Sequence, residues 1–253
     1  MARTLPPGRH GVNPAGRGLS NDLLGVAFSG RNGWAVGTCN DGIGLPQSLI
    51  ERWTGRKWIR TASPDPGGRA TYNVLNAVAS QSPSNAFAVG YFSEPAINQA
   101  LIAHWNGHAW ADVPSPVLPG GAGSALSGVA FSSAASAWAV GYLFTGDHTF
   151  PLIEHWNGAI WKVVTTLRIV GTLYSVAVVS RHDAWAVGND NDNGTDHTLI
   201  EHWNGHTWGR VTSPDLAGST GDLLQGVTVS SAGRASACLA NSAFTASTCL
   251  SNA

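Results

Sequence analysis

Charge is scarce in this chain of 253 residues: Asp, Glu, Lys and Arg together make up 11%, well under the usual quarter. A helical protein of this size would carry more Lys, Glu and Arg on its solvent faces, so the balance leans towards strands and turns. No basic tract is present and the net charge is −1, which argues against an electrostatic grip on nucleic acid or an anionic membrane. Long apolar runs are missing too. Residues 124–144 and 235–253 are uncharged, but both are diluted by small polar residues and neither offers the roughly 20 predominantly apolar positions of a membrane span. The start, "MARTLPPGRHGVNPAG", lacks the apolar segment of a signal peptide. Three cysteines, Cys39, Cys238 and Cys249, make no metal-ligand spacing and no even disulfide framework; a Cys238–Cys249 bridge is open to the chain if it is secreted.

What the chain does have is repetition. Phrases beginning at Leu23, Leu75, Leu126, Leu173 and Leu224 match one another, with a period of 47 to 52 residues. Eleven or twelve residues on comes "WAVG" at Trp34, Trp138 and Trp185, with "FAVG" at Phe87. Then follows a ten-residue phrase: "LIERWTGRKW" from Leu49, "LIAHWNGHAW" from Leu101, "LIEHWNGAIW" from Leu152 and "LIEHWNGHTW" from Leu199. Such a period decides the architecture before any motif does. Each unit holds four short segments rich in Val, Ile and Trp, too short for helices. Asn106-Gly107, Asn157-Gly158 and Asn204-Gly205 sit between the third and fourth, with Thr54-Gly55 in the first copy. They predict a tight hairpin of type I′, with Asn and Gly as its two central residues. The expected fold is all-β: a β-propeller of four-stranded antiparallel blades, four full blades plus a partial fifth.

The eleven tryptophans fall at three positions of the repeat, in the second strand, the third and the start of the fourth. One aromatic per position per unit is the pattern of packing between neighbouring blades. Alternation along the third strand puts Leu199, Glu201 and Trp203 on one face and Ile200 and His202 on the other. Hydrogen bonds between blades are therefore expected at Glu154, His155, Glu201 and His202. The fifth copy decays at Ala235 into an uncharged tail. The predicted divisions are residues 1–22, resembling the exit of a preceding blade; 23–234, the repeats; and 235–253, the degenerate tail. Either the N-terminal segment completes a ring of five, or an open edge remains that invites edge-to-edge self-association.

The units "VAFSGRNGWAVG" (Val26 to Gly37) and "WNGHTW" (Trp203 to Trp208) resemble bacterial propeller repeats of the Asp-box, or BNR-like, kind found in sialidase-like and photosystem-assembly propellers. The Asp-box hairpin reads Ser-x-Asp-x-Gly-x-Thr-Trp. Aligned on Gly205, Thr207 and Trp208, this chain has Glu201 for the serine and Trp203 for the aspartate. The resemblance implies a blade, not a glycosidase: no arginine triad and no Tyr–Glu nucleophile pair can be placed.

Function is read from the variable loops between second and third strands, since variable loops on a rigid scaffold are where recognition sits. They carry Asp41, Glu94, Asp147 with His148, and Asp196 with His197 as ligand-binding candidates. The last loop, with Asp190, Asp192 and Asp196, resembles an acidic calcium loop, although Glu201 falls one position late for an EF-hand; calcium is the one cofactor it suggests. The expected function is a non-catalytic module that binds a glycan or protein ligand. A sialidase-like or lyase-type enzyme, and a structural segment of a larger surface protein, are the alternatives. An enzyme would need an acid, base or nucleophile cluster that breaks the repeat symmetry, and the two Asp-His pairs are themselves repeated.

Overall fold

The computed structural model describes residues 20–93, 97–118, 122–164, 169–192, 194–213, 221–230, 234–241 and 249–251. The first blade is β1 (Ser20–Ser29), β2 (Asn32–Asn40), β3 (Gln47–Trp53) and β4 (Trp58–Thr61). The second is β5 (Tyr72–Ser82), β6 (Asn85–Ser93), β7 (Asn98–Trp105) and β8 (Trp110–Asp112). The third is β9 (Gly123–Ser133), β10 (Ser136–Thr145), β11 (His148–Trp156) and β12 (Trp161–Val164). The fourth is β13 (Gly171–Ser180), β14 (Asp183–Asp192), β15 (Thr195–Trp203) and β16 (Trp208–Val211). A fifth sheet holds β17 (Asp222–Val229), β18 (Ala235–Asn241) and β19 (Cys249–Ser251). Strands are antiparallel and follow chain order within every sheet. The chain is a β-propeller array with, among the described residues, four four-stranded blades and a three-stranded fifth. A single 3-10 turn, Gly68–Ala70, is the only helical element among the described residues.

Blades stack through their inner strands: β1 on β5, β5 on β9, β9 on β13 and β13 on β17. Each inner strand bears a one-residue bulge just after its conserved-position leucine, at Leu23/Gly25, Leu75/Ala77, Leu173/Ser175 and Leu224/Gly226, with the matching shift at Val140/Gly141 in blade 3. The bulge drives backbone against the second strand and explains the glycine of "AVG". A methyl group at Gly37, Gly90, Gly141 or Gly188 would land on the carbonyl oxygen of Asp22, Val74, Ala125 or Thr172. The fifth sheet keeps the bulge, but Leu239 stands at the glycine's register position.

The third-to-fourth hairpins differ from the expected turn. Trp203 pairs with Trp208, and the Asn204 N–H donates to the Thr207 carbonyl at 3.2 Å. The two central residues are thus Gly205 and His206. Glycine takes the first central position with φ 94°, as a type II′ turn requires, and Asn204 lies outside the bend. Its side-chain oxygen accepts the N–H groups of His206 and Thr207, both at 3.0 Å. Asn106 and Asn157 do the same, and the Thr54 hydroxyl accepts the Lys57 N–H at 3.2 Å.

The core is a series of interblade seams. The second-strand aromatic of each of the first three blades inserts between two tryptophans of the next. Trp34 lies 4.8 Å from Trp105 and 4.9 Å from Trp110; Phe87 lies 5.4 Å from Trp156 and 5.1 Å from Trp161; Trp138 lies 4.9 Å from Trp203 and 5.1 Å from Trp208. The ring from the fourth strand is met edge to face each time, at 84°, 74° and 89°, the arrangement the aromatic quadrupole favours. Trp34, Phe87 and Trp138 are all buried. Burying one such side chain is worth on the order of 4–6 kcal/mol gross at about 25 cal/mol per Å².

Candidate binding face

The first–second and third–fourth turns emerge at one end of each blade, the second–third loops and interblade links at the other. The faces of the third strand divide as the alternation predicts: Leu101, Ala103 and Trp105 pack towards blade 1, while Ile50 packs towards blade 2. The imidazole partners do not follow the expectation. His104, His155 and His202 bond within their own blades, to Asn85, Ser136 and Asp183, each at 2.9 Å. Each ring also lies against the second-strand aromatic of its own sheet, Phe87, Trp138 or Trp185. Burial pulls His104 and His155 below the usual histidine range. The physical reason is distance along the pleat: the start of the second strand lies directly beside the third, closer than the next blade. Arg52 replaces this histidine in blade 1 and sits 5.7 Å from the rings of both Trp34 and Trp105, a cation–π bridge across the seam.

Glu154 and Glu201 are fully enclosed. Glu154 accepts a hydrogen bond from Ser115 in the preceding interblade link at 2.9 Å, and its second oxygen has no hydrogen-bond partner among the described residues. Among the described residues, neither oxygen of Glu201 has a hydrogen-bond partner. Burial pushes each carboxyl up to about 7, opposed by Ser115 for Glu154 and by the charge of Arg210 for Glu201. An unpaired buried carboxylate would be costly, so the protonated form is favoured.

The loop acids are engaged mostly by protein groups. Asp41 binds Arg69 at 2.7 Å and accepts the Ile43 N–H at 2.9 Å, tying the first loop to the link that follows the blade. The Arg69 hydrogen bond, with that of Ile43, holds the Asp41 carboxyl below its usual value. Asp147 and His148 lie in and beside a tight hairpin with Gly146 at φ 60°, both exposed. Asp196 accepts the side-chain amides of Asn189 and Asn191 at 2.8 and 2.9 Å. Asp190 pairs with Arg210 at 2.8 Å and stands opposite His197 in the strand register. Asp192 is exposed near the end of β14. No three His, Cys, Asp or Glu side chains among the described residues group as metal ligands would. Glu94 lies outside the described residues. Cys238 is disulfide-bonded, and its register partner in β19 is Cys249.

Two features of this face are not obvious from the sequence. A cavity of about 330 Å³ opens between blades 2 and 3, lined by Phe92, Gln99, Asp112, Ser115, Leu118 and Ser124 among others. Burial raises Asp112 above its usual range. Farther round, Tyr142 comes within electrostatic reach of Tyr91 and Tyr174, and Tyr174 of Asp196, across blades 2, 3 and 4. Burial, then this proximity, raises the Tyr142 and Tyr174 hydroxyls. "AVGY" in two copies was the only signal available for the tyrosines. The cavity depends on an interblade link whose Ser-Pro recurs at Ser63 and Ser213, a pattern that marks a link and not a cavity.

No family model matches the chain, and no curated protein matches it. Among solved structures it is similar to a glycosyl hydrolase from Bacteroides ovatus, with TM-score 0.49, 10% identity, and coverage of 88% of this chain and 82% of that one. It is also similar to a fucose-specific lectin from Aleuria aurantia, with TM-score 0.46, 13% identity, and coverage of 88% and 75%. A Bacillus subtilis arabinanase gives TM-score 0.43 and 11% identity, with 89% and 91% covered. The propeller assignment stands on the five sheets of this chain themselves.

Proposed function

We propose that the chain is a non-catalytic propeller module that takes a glycan on the face carrying the second–third loops and interblade links. The cavity between blades 2 and 3 carries this reading. It offers an aromatic ring (Phe92), an amide (Gln99), a carboxyl (Asp112) and hydroxyls (Ser115, Ser124) around one opening, the mixture of apolar wall and few polar groups that fixes a small ligand. The candidate acids Asp41 and Asp196 support binding over chemistry, because each is held by neighbouring side chains rather than poised over a cavity. Glu154 is the acid whose protonation suits catalysis, but it is enclosed behind Ser115, away from any substrate. The third-to-fourth hairpins read as relatives of the Asp-box turn that kept its glycine and lost its acid.

A glycan array followed by NMR titration of the hits tests this. Binding that shifts signals of Gln99, Asp112 and Ser124, and falls at least tenfold in Gln99→Ala, supports the reading. A protein ligand on the same face with no glycan hit would replace the substrate class. Turnover of a bound glycan would replace the non-catalytic reading.

A further inference from the structure

The interior seams define what a complete blade-to-blade contact looks like in this chain, and blade 1 has only one half of the contact on its outer side. In every seam the inner-strand leucine of the later blade is sealed: Leu75, Leu126, Leu173 and Leu224 are all 0% exposed, while Leu23 is 48% exposed. The valine three residues on behaves alike, with Val78, Val129 and Val176 buried and Val26 at 47%. Leu24 and Phe28 are also more than half exposed. Trp53 and Trp58 lie 5.4 Å apart at 51°, close to the 5.8 Å and 45° of Trp156 and Trp161, which clasp Phe87. The socket is formed and, among the described residues, no second-strand aromatic enters it; Trp58 is instead half-covered by Phe28 of its own sheet, 5.9 Å away.

We infer that this face of blade 1 is an interface for a further blade of the same repeat, one that presents a tryptophan or phenylalanine from its second strand. A terminal repeat of a stacked array carries a polar outer face to stay soluble. Blade 1 presents leucine, valine, phenylalanine and two indoles there, so it has the surface of an interior repeat. Residues 1–19 contain no Trp, Phe or Tyr and are far shorter than one period, so their sequence lacks the aromatic that the socket takes. The fifth sheet does not supply it either. Its register position for the aromatic is Ser236, opposite Thr228 as Trp185 is opposite Ala177, and β17 does not pack on β1 as consecutive inner strands do. A second copy of this chain offers the same Ser236 end and so lacks the aromatic as well. An aromatic-bearing blade beyond those described completes the contact.

The test joins residues 123–169, a whole blade and its exit link, directly to Ser20 of the full chain in place of residues 1–19. A paired version carries Trp138→Ser in the added copy only. The expected result is a Tm about 5 °C higher with the tryptophan than with the serine, together with at least tenfold slower hydrogen exchange at Leu23–Phe28. Equal Tm and equal exchange in the two versions would overturn the inference. So would an unextended chain that sediments as a dimer and becomes monomeric on Phe28→Asp, since the occupant is then a second copy. Faster exchange at Leu23–Phe28 on deleting residues 1–19 would overturn it in favour of the chain's own N-terminal segment.

Discussion

In blade 3, Leu126 stands opposite Gly141, Trp138 projects into the next blade, and four strands complete the wedge. In the fifth sheet Leu224 is just as buried and the bulge is in the same place, but Leu239 and Ser236 hold the glycine and tryptophan positions and three strands are described. The inner strand is therefore enough to stack a sheet onto the array. The outer strands and their indoles make it a wedge able to carry a successor. Trp185 records the difference from the other side: facing a sheet without indoles it stays half-exposed, while Trp34 and Trp138 are buried.

Substitutions sharpen that contrast. Trp138→Ala should be the most damaging, at about 3–5 kcal/mol by urea denaturation, whereas Ser236→Ala should fall within about 0.5 kcal/mol of the parent. A similar cost at both positions would erase the distinction between the two sheets.

The enclosed glutamates give blades 3 and 4 a pH dependence of their own. Each carboxyl has a folded-state pKa raised to about 7 from 4.5. Below 4.5 both states are protonated and nothing is lost. Between 4.5 and 7 the unfolded chain releases the proton first, so stability falls as pH rises and levels off above 7. The loss is on the order of 3 kcal/mol per glutamate. Denaturation midpoints measured from pH 4.5 to 7.5 should show the fall, and Glu201→Gln should remove its share.

Backbone crowding at the bulge gives a smaller effect. Gly141→Ala should cost about 1–3 kcal/mol because the new methyl meets a carbonyl that is part of the strand. Gly226→Ala, with open space around it, should be close to neutral in the same thermal melts. The least effect belongs to Asp41→Ala, whose ion pair with Arg69 is exposed to solvent. Its thermal midpoint should match the parent, with change confined to the NMR signals of the first loop.

The repeat made the blades, their strand number and the seam role of the tryptophans readable in advance, because each recurs at one phase of the period. The Glu and His faces of the third strand were readable from alternation. Partners were harder. The histidines found Asn85, Ser136 and Asp183 in the adjacent strand, and Asn204 became a cap instead of a turn centre, because local hydrogen-bond geometry is not encoded in spacing. The loop acids were visible as types, but the groups that hold them, Arg69 for Asp41 and Arg210 for Asp190, lie a strand or a link away. The cavity between blades 2 and 3 is lined in part by residues 112–118, whose Ser-Pro recurs in the links after blades 1 and 4, and recurrence alone does not say where a cavity opens.

The central claim is that aromatic contact across the seams holds the blades together. A double-mutant cycle on Trp138→Ala and Trp208→Ala tests it, with Trp34→Ala and Trp208→Ala as the pair that do not touch. The account predicts a coupling of about 1 kcal/mol or more for the first pair and additivity for the second; additive effects in both cycles would contradict it.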